Sequence, residues 1–306
     1  MEEQYRDYLS DFFTWDQLEN AEEWILFEKN IGPNLSIDET ALSQGELYTI
    51  VTNKDAKGKK GAIVAMIKGT QSENVRAILE KIPLRKRNTV KEITLDMAAT
   101  MEKIARFTFP KAKLVTDRFH VQKLVYDAVQ EMRIKYRWKA IEQENKEIEL
   151  SKEVKQKYVP EILANDDTLK QLLARSRYLL FKPQSKWTQS QWRRGEILFE
   201  RYPDLEKAYH LALQLGNIFN GCKDKGIAFT KLAQWYNRVE NAGFESFNIA
   251  ARSIEAHYLT ILNYFDNRST NASAESFNAK IKAFRATFRG VKNISFFLFR
   301  LSNIYA

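Results

Sequence analysis

Glu275 is the one acidic residue between Asn267 and the C-terminus, in a stretch that carries Arg268, Lys280, Lys282, Arg285, Arg289, Lys292 and Arg300. A surface built to hold phosphates has no use for a carboxylate unless that group does something a cation cannot, such as binding a divalent metal. Partner carboxylates should then exist upstream. Asp38 in SIDET and Asp96 in EITLDMAATM are candidates, and Asp117 in KLVTDRFHVQKL is a third, with His120 three positions on. Each also has a local explanation. Asp96 can cap a helix over 97–108, Asp117 can cap one that begins near Phe119, and Asp38 can simply end a strand. His120 can return toward Asp117 over one helical turn, although a lone histidine is more often structural. Glu39 rivals Asp38, but a period of two points it to the opposite face.

The elements that must position these residues are legible in the pattern. From Ser269 the chain opens with Ser/Thr/Asn cap candidates, runs without Pro or Gly and stops at Gly290, which predicts a helix of about five turns. On it Phe277, Ile281, Phe284 and Phe288 form an apolar face, with Glu275, Asn278, Lys282, Arg285 and Arg289 in a polar stripe beside it. Residues 34–39, 45–53 and 61–69 read as three antiparallel strands joined by short turns. A helix (71–82), a strand (90–95), a helix (97–108) and a strand (112–116) follow. This alternation predicts an α/β fold in which the later strands join in parallel through helical crossovers. If the first and fourth strands are neighbours, Asp38 and Asp96 meet at their ends.

The flanking regions differ. Residues 1–32 read as an amphipathic helical segment anchored by Tyr5, Tyr8, Phe12, Trp15, Leu18, Trp24 and Leu26, ending at Gly32-Pro33. Residues 121–265 read as an all-helical insertion, leaving 33–120 and 266–306 as one domain. Within the insertion, KWTQSQWRRGE gathers Trp187, Trp192, Arg193 and Arg194, which either belong to a core or stack on unpaired bases and grip phosphates.

Composition narrows the function classes. The 306 residues carry a net charge of +9, and that sign favours a polyanionic partner, nucleic acid first and anionic membrane second. One cysteine, Cys222, excludes an internal disulfide and a cysteine-based zinc site. The acidic start, MEEQYRDYLSDFF, is unlike a signal peptide, and no apolar run approaches a membrane span. A cytoplasmic location with no membrane partner is the expectation. No tyrosine stands in a basic cluster of the kind a tyrosine recombinase needs.

The segments SIDETALSQGELYTIVTN, ITLDMAATMEKIARFTFPKAKLVTDRFHVQKL and NRSTNASAESFNAKIK resemble the catalytic domain of bacterial insertion-sequence DDE transposases of the ISL type. The resemblance implies a ribonuclease H-like mixed five-stranded sheet with helices, interrupted by a large all-α insertion. It implies Asp38, Asp96 and Glu275 as the catalytic, metal-holding triad and Asp117 with His120 as an accessory motif. Two ions of Mg²⁺ or Mn²⁺ would suit such hard oxygen ligands and leave room for phosphate oxygens. Asn278, Lys280, Lys282, Arg285, Arg289 and Lys292 are then candidate DNA contacts.

The implied partners are double-stranded DNA, as element ends and as target, with nucleoid association when bound to it, and further copies of the chain in a homo-oligomer on DNA. Relatives commonly carry an N-terminal zinc and helix-turn-helix module. The residues ahead of Asp38 lack its cysteines and length, so either that part is a separately encoded end-recognition chain, the favoured expectation, or the chain is a remnant; such a partner would dock around Phe12, Trp15 and Trp24 unless that segment packs on its own sheet. A ribonuclease H-like nuclease or resolvase without strand transfer, and a noncatalytic domesticated DNA-binding protein, are the alternatives.

Overall fold

The computed structural model describes residues 2–43, 45–287 and 290–306. They divide into two compact units, one formed by residues up to Arg118 together with Leu259–Ala306, the other by Phe119–Tyr258. The first unit opens with α1 (Glu2–Tyr8), β1 (Trp24–Leu26), β2 (Asn34–Ser43), β3 (Glu46–Asn53) and β4 (Ile63–Lys68). It continues through α2 (Ser72–Leu79), α3 (Leu84–Arg87), β5 (Glu92–Leu95), α4 (Ala99–Thr108) and β6 (Lys113–Thr116). The described residues of the second unit form helices and no strand: α5 (Arg118–Glu153), α6 (Leu169–Arg175), α7 (Gln189–Arg201), α8 (Pro203–Gly221), α9 (Lys225–Ala242) and α10 (Glu245–Ala256). The chain then runs through α11 (Tyr258–Leu262), α12 (Tyr264–Asn267), α13 (Ala272–Thr287) and α14 (Ile294–Tyr305). No helix among the described residues is long and apolar enough to cross a membrane.

The six strands form one mixed sheet in the order β1-β4-β3-β2-β5-β6. β1 to β4 pair antiparallel where they meet, whereas β2–β5 and β5–β6 are parallel. The sheet is mixed because β2 to β4 are linked by short turns and β5 and β6 are reached through helical crossovers. The turn after β3 uses Gly58 at φ 67° and Gly61 at φ 86°, a backbone region that costs a residue with a Cβ. Alternation then assigns the two faces. Leu35, Ile37, Val51, Ile93 and Leu95 pack on α2 and α4 through Val75, Leu79, Met101 and Ile104. Leu42, Ile50 and Met66 pack on α13 and α14 through Phe277, Ile281, Leu298 and Leu301.

The segment expected as an N-terminal helix is different. Helical structure covers Glu2–Tyr8 and three short 3₁₀ turns, and Trp24–Leu26 is a strand paired with β4, which makes the sheet six-stranded rather than five-stranded. The reason is burial in the sheet. Ile25 is 0% exposed in the core, and the Leu26 N–H donates to the Gln17 side chain at 2.7 Å. The aromatic spacing that imitates a helix serves another purpose: Phe12 sits 5.2 Å from Phe296 and 5.5 Å from Phe299 of α14, and Trp15 sits 5.5 Å from Phe299. Phe12 is 4% exposed. The proposed partner-docking aromatics are therefore taken up by the chain's own fold.

Candidate functional site

The parallel strands run in step. Ser36 pairs with Thr94, and Leu95 pairs with Thr116. Extending the first register by two residues sets Asp38 beside Asp96, and extending the second by one sets Asp96 beside Asp117. The Asp117 N–H donates to the Leu95 carbonyl at 2.9 Å, which carries the pairing to that point. Asp38 thus lies within β2, which runs on to Ser43, whereas Asp96 and Asp117 lie just beyond the carboxyl ends of β5 and β6, the side of an open α/β sheet where ligands bind. Because Leu35, Ile37, Ile93 and Leu95 face α2 and α4, period two turns Ser36, Asp38, Thr94 and Asp96 toward α13 and Glu39 away from it.

Each acid is held differently. Asp38 Oδ1 accepts from the Glu39 N–H at 2.9 Å, and Oδ2 accepts from Asn278 Nδ2 at 2.7 Å. Asp96 Oδ1 accepts from the Ala98 N–H at 2.9 Å. This is a turn bond two residues on rather than a helix cap, since Ala98 itself is the N-cap of α4. Asp117 is 1% exposed and immediately precedes α5, with His120 one turn into that helix. Glu275 is exposed in the first turn of α13, and its N–H donates to the Asn271 carbonyl at 2.9 Å.

Asn271 is fully buried and accepts from the Ser36 hydroxyl. So α13 is pegged to β2 twice, by Asn271 on Ser36 and by Asn278 on Asp38, with Glu275 between the pegs. A carboxylate oxygen of Asp117 and one of Glu275 lie within 4.8 Å of each other, a close group that does not include Asp38 or Asp96 among the described residues.

The local field is negative. Burial raises the Glu39 carboxyl above its ordinary value, and the charges of Asp96 and Asp38 raise it further. Lys54 is the counterweight beneath. Its ammonium donates to Thr94 Oγ1 at 2.7 Å and is lowered by burial, against the attraction of Glu92, Asp117 and Asp55. Oxygen donors from aspartate and glutamate, without sulfur, match hard ions such as Mg²⁺ or Mn²⁺.

The basic side of α13 is partly committed to the fold. Lys280 donates to the Gly58 carbonyl at 2.8 Å and lies over the Tyr305 ring. Arg285 donates to the Ala41 and Leu42 carbonyls, each at 3.2 Å. These two, with Asn278, tie α13 to the sheet instead of presenting free cations to a phosphate. Lys282 and Lys292 are exposed. Arg289, and Phe288 of the expected apolar face, lie outside the described residues.

The sequence profile of the transposase family DDE_Tnp_ISL3 matches residues 35–301, which spans Asp38, Asp96 and Asp117, the helical unit and α13. The chain belongs to this family. It is also similar to the transposase for insertion sequence element IS1001 of Bordetella parapertussis, at 23% identity over 231 residues, 74% of this chain and 50% of that protein. The chain thus spans about half the length of that relative. No solved structure matches it significantly.

In the helical unit of this transposase-family chain, two of the four residues of the KWTQSQWRRGE segment take the core reading. Trp187 is 8% exposed, donates its indole N–H to the Leu179 carbonyl at 2.9 Å and packs on Phe199 and Tyr209. Arg194 pairs at 3.0 Å with Asp167, which is fully buried. Both are structural because a buried indole and a buried carboxylate each need a partner. Trp192 and Arg193 are exposed. The residues that sequence reasoning passed over are Ser36 and Asn271. The signal was present: Asn271, just ahead of α13, falls on the same helical stripe as Ala274, Asn278 and Ile281, and an asparagine on a buried stripe requires a polar partner on the facing strand.

Proposed function

We propose that this chain is the catalytic part of a DNA transposase that cuts phosphodiester bonds at element ends and joins the freed 3′-hydroxyl to target DNA. The reading is supported by the register of β2, β5 and β6, which sets Asp38 within β2 and Asp96 and Asp117 just past β5 and β6 on one face of the sheet, and by the Asn278–Asp38 hydrogen bond that ties the helix bearing Glu275 to that face. Asp38, Asp96 and Glu275 would hold two divalent cations, Mg²⁺ or Mn²⁺, which when bound lower the pKa of the attacking hydroxyl or water and stabilise the leaving oxygen. Asp117, buried beside Glu275, and His120, a turn beyond it, form the accessory pair. The Asn278 amide aims one lone pair of Asp38 and so orients its carboxylate, and the Asn271–Ser36 peg sets the height of Glu275 above β2. Lys282 and Lys292 are placed to meet phosphates of the duplex. Assembly of several copies on the paired ends, and recognition of those ends by a second chain, are further parts of the proposal, with the N-terminal aromatics set aside as its docking place.

The test is a strand-transfer assay with wild-type protein, a precleaved element-end oligonucleotide and a supercoiled plasmid target in Mg²⁺. Joined product is expected. Cutting without joining would favour a ribonuclease H-like nuclease, and binding alone a noncatalytic DNA-binding protein.

A further inference from the structure

In the helical unit, α8 and α9 enclose a groove of about 230 Å³ whose polar lining is Gln214, Asn217, Lys231, Gln234 and Arg238. None of these is acidic. The floor is Ile218 and Trp235. Trp235 is 1% exposed, and its indole N–H donates to the Leu211 carbonyl at 2.9 Å, which fixes α9 against α8. Lys231, Gln234 and Arg238 stand at positions i, i+3 and i+7 and therefore form one stripe of α9, and all three are exposed. Gln214 and Asn217 answer them from α8. Arg238 Nη1 donates to Gln214 Oε1 at 3.0 Å, a bond that uses one of the five guanidinium N–H groups and holds the fork over the groove.

Chemistry selects the ligand. The volume is below the roughly 300–1,000 Å³ of enclosed small-molecule sites, and no carboxylate is present to receive a cation or an amine. An extended polyanion fits. Two cations supply phosphate contacts, and three carboxamides offer both donors and acceptors to phosphate, sugar or base edge. Lys231 and Arg238 are seven residues apart, about 10.5 Å along the helix axis, or about three steps of 3.4 Å along one DNA strand. We infer that the α8–α9 groove is a duplex-DNA contact of the helical unit, distinct from the α13 face. The inference rests on the reading of the chain as a DNA transposase.

The experiment is equilibrium binding of the full chain to a fluorescent 30-base-pair duplex across a salt series. Lys231→Gln with Arg238→Gln is compared with wild type and with the charge-preserving pair Lys231→Arg and Arg238→Lys, and thermal melts check the fold. Both positions are exposed, so folding is expected to be retained. The double Gln variant should flatten the slope of log K against log salt by about 1.8, at roughly 0.9 per phosphate contact, and the charge-preserving pair should keep the wild-type slope. A wild-type slope in the double Gln variant would overturn the groove while leaving the transposase reading intact. Absence of salt-dependent DNA binding by the wild-type chain would overturn both.

Discussion

A carboxylate holds a cation well only when its lone pairs are aimed, and Asp38 is aimed from two elements, by the Glu39 N–H of its own strand and by Asn278 of α13. Asn278→Ala removes one of those constraints. Outer-shell partners of this kind typically change metal affinity 10- to 100-fold, so the Mn²⁺ concentration for half-maximal cleavage should rise at least about tenfold while duplex binding stays near wild type. An unchanged metal titration would show that Asn278 only packs. Glu39 makes the opposite contribution. Its carboxyl is raised by burial and by Asp96 and Asp38, so the protonated form favours the fold, and that stability is lost as pH rises through the raised value. Glu39→Gln should therefore melt with wild type below about pH 4 and above it at neutral pH, and added Mg²⁺ should narrow the gap. Parallel melting curves at both pH values would contradict this assignment of the local field.

At the scale of elements, α13 shows how far a pattern can be read. Its helical span, its apolar face through Phe277 and Ile281 and the position of Glu275 all follow from spacing. The work done by its cations does not, because a long side chain can reach a backbone carbonyl on another element as readily as a phosphate. Arg285→Ala should lower stability by about 1–3 kcal/mol, the usual range for losing a charged hydrogen bond to a buried acceptor, with no change in the salt slope of DNA binding. Lys282→Ala should do the reverse, flattening the slope by about 0.9 without a change in melting. A flattened slope for Arg285→Ala would mean that its carbonyl bonds yield to phosphate.

The strands β2 to β6 were legible because alternation and turn residues agree. β1 was hidden because a strand of three residues carries too little alternation of its own and is stabilised by β4. Close packing is equally invisible in spacing. A Cβ on Gly195 would lie 2.4 Å from the Trp187 ring, so Gly195→Ala should destabilise the helical unit by about 1–3 kcal/mol, read as a lower melting temperature.

Across the whole molecule, a net charge of +9 overstates the cations available to a polyanion. Lys54, Arg194, Lys280 and Arg285 serve internal partners, and Arg300 lies over the rings of Tyr5, Phe284 and Phe296. The family match covers both units, and the acids it joins come from strands and a helix that lie on either side of the helical segment in sequence. The meeting of Asp117 with Glu275 could not be read from spacing, since it depends on how α13 docks across 157 intervening positions of chain. The account stands on these acids acting as one metal-dependent centre. The most direct measurement is strand cleavage and joining in Mg²⁺ by Asp38→Asn, Asp96→Asn and Glu275→Gln, each checked for folding and for duplex binding. The account predicts loss of both reactions in all three, with DNA binding retained. Near wild-type joining by any one of these folded variants would contradict it.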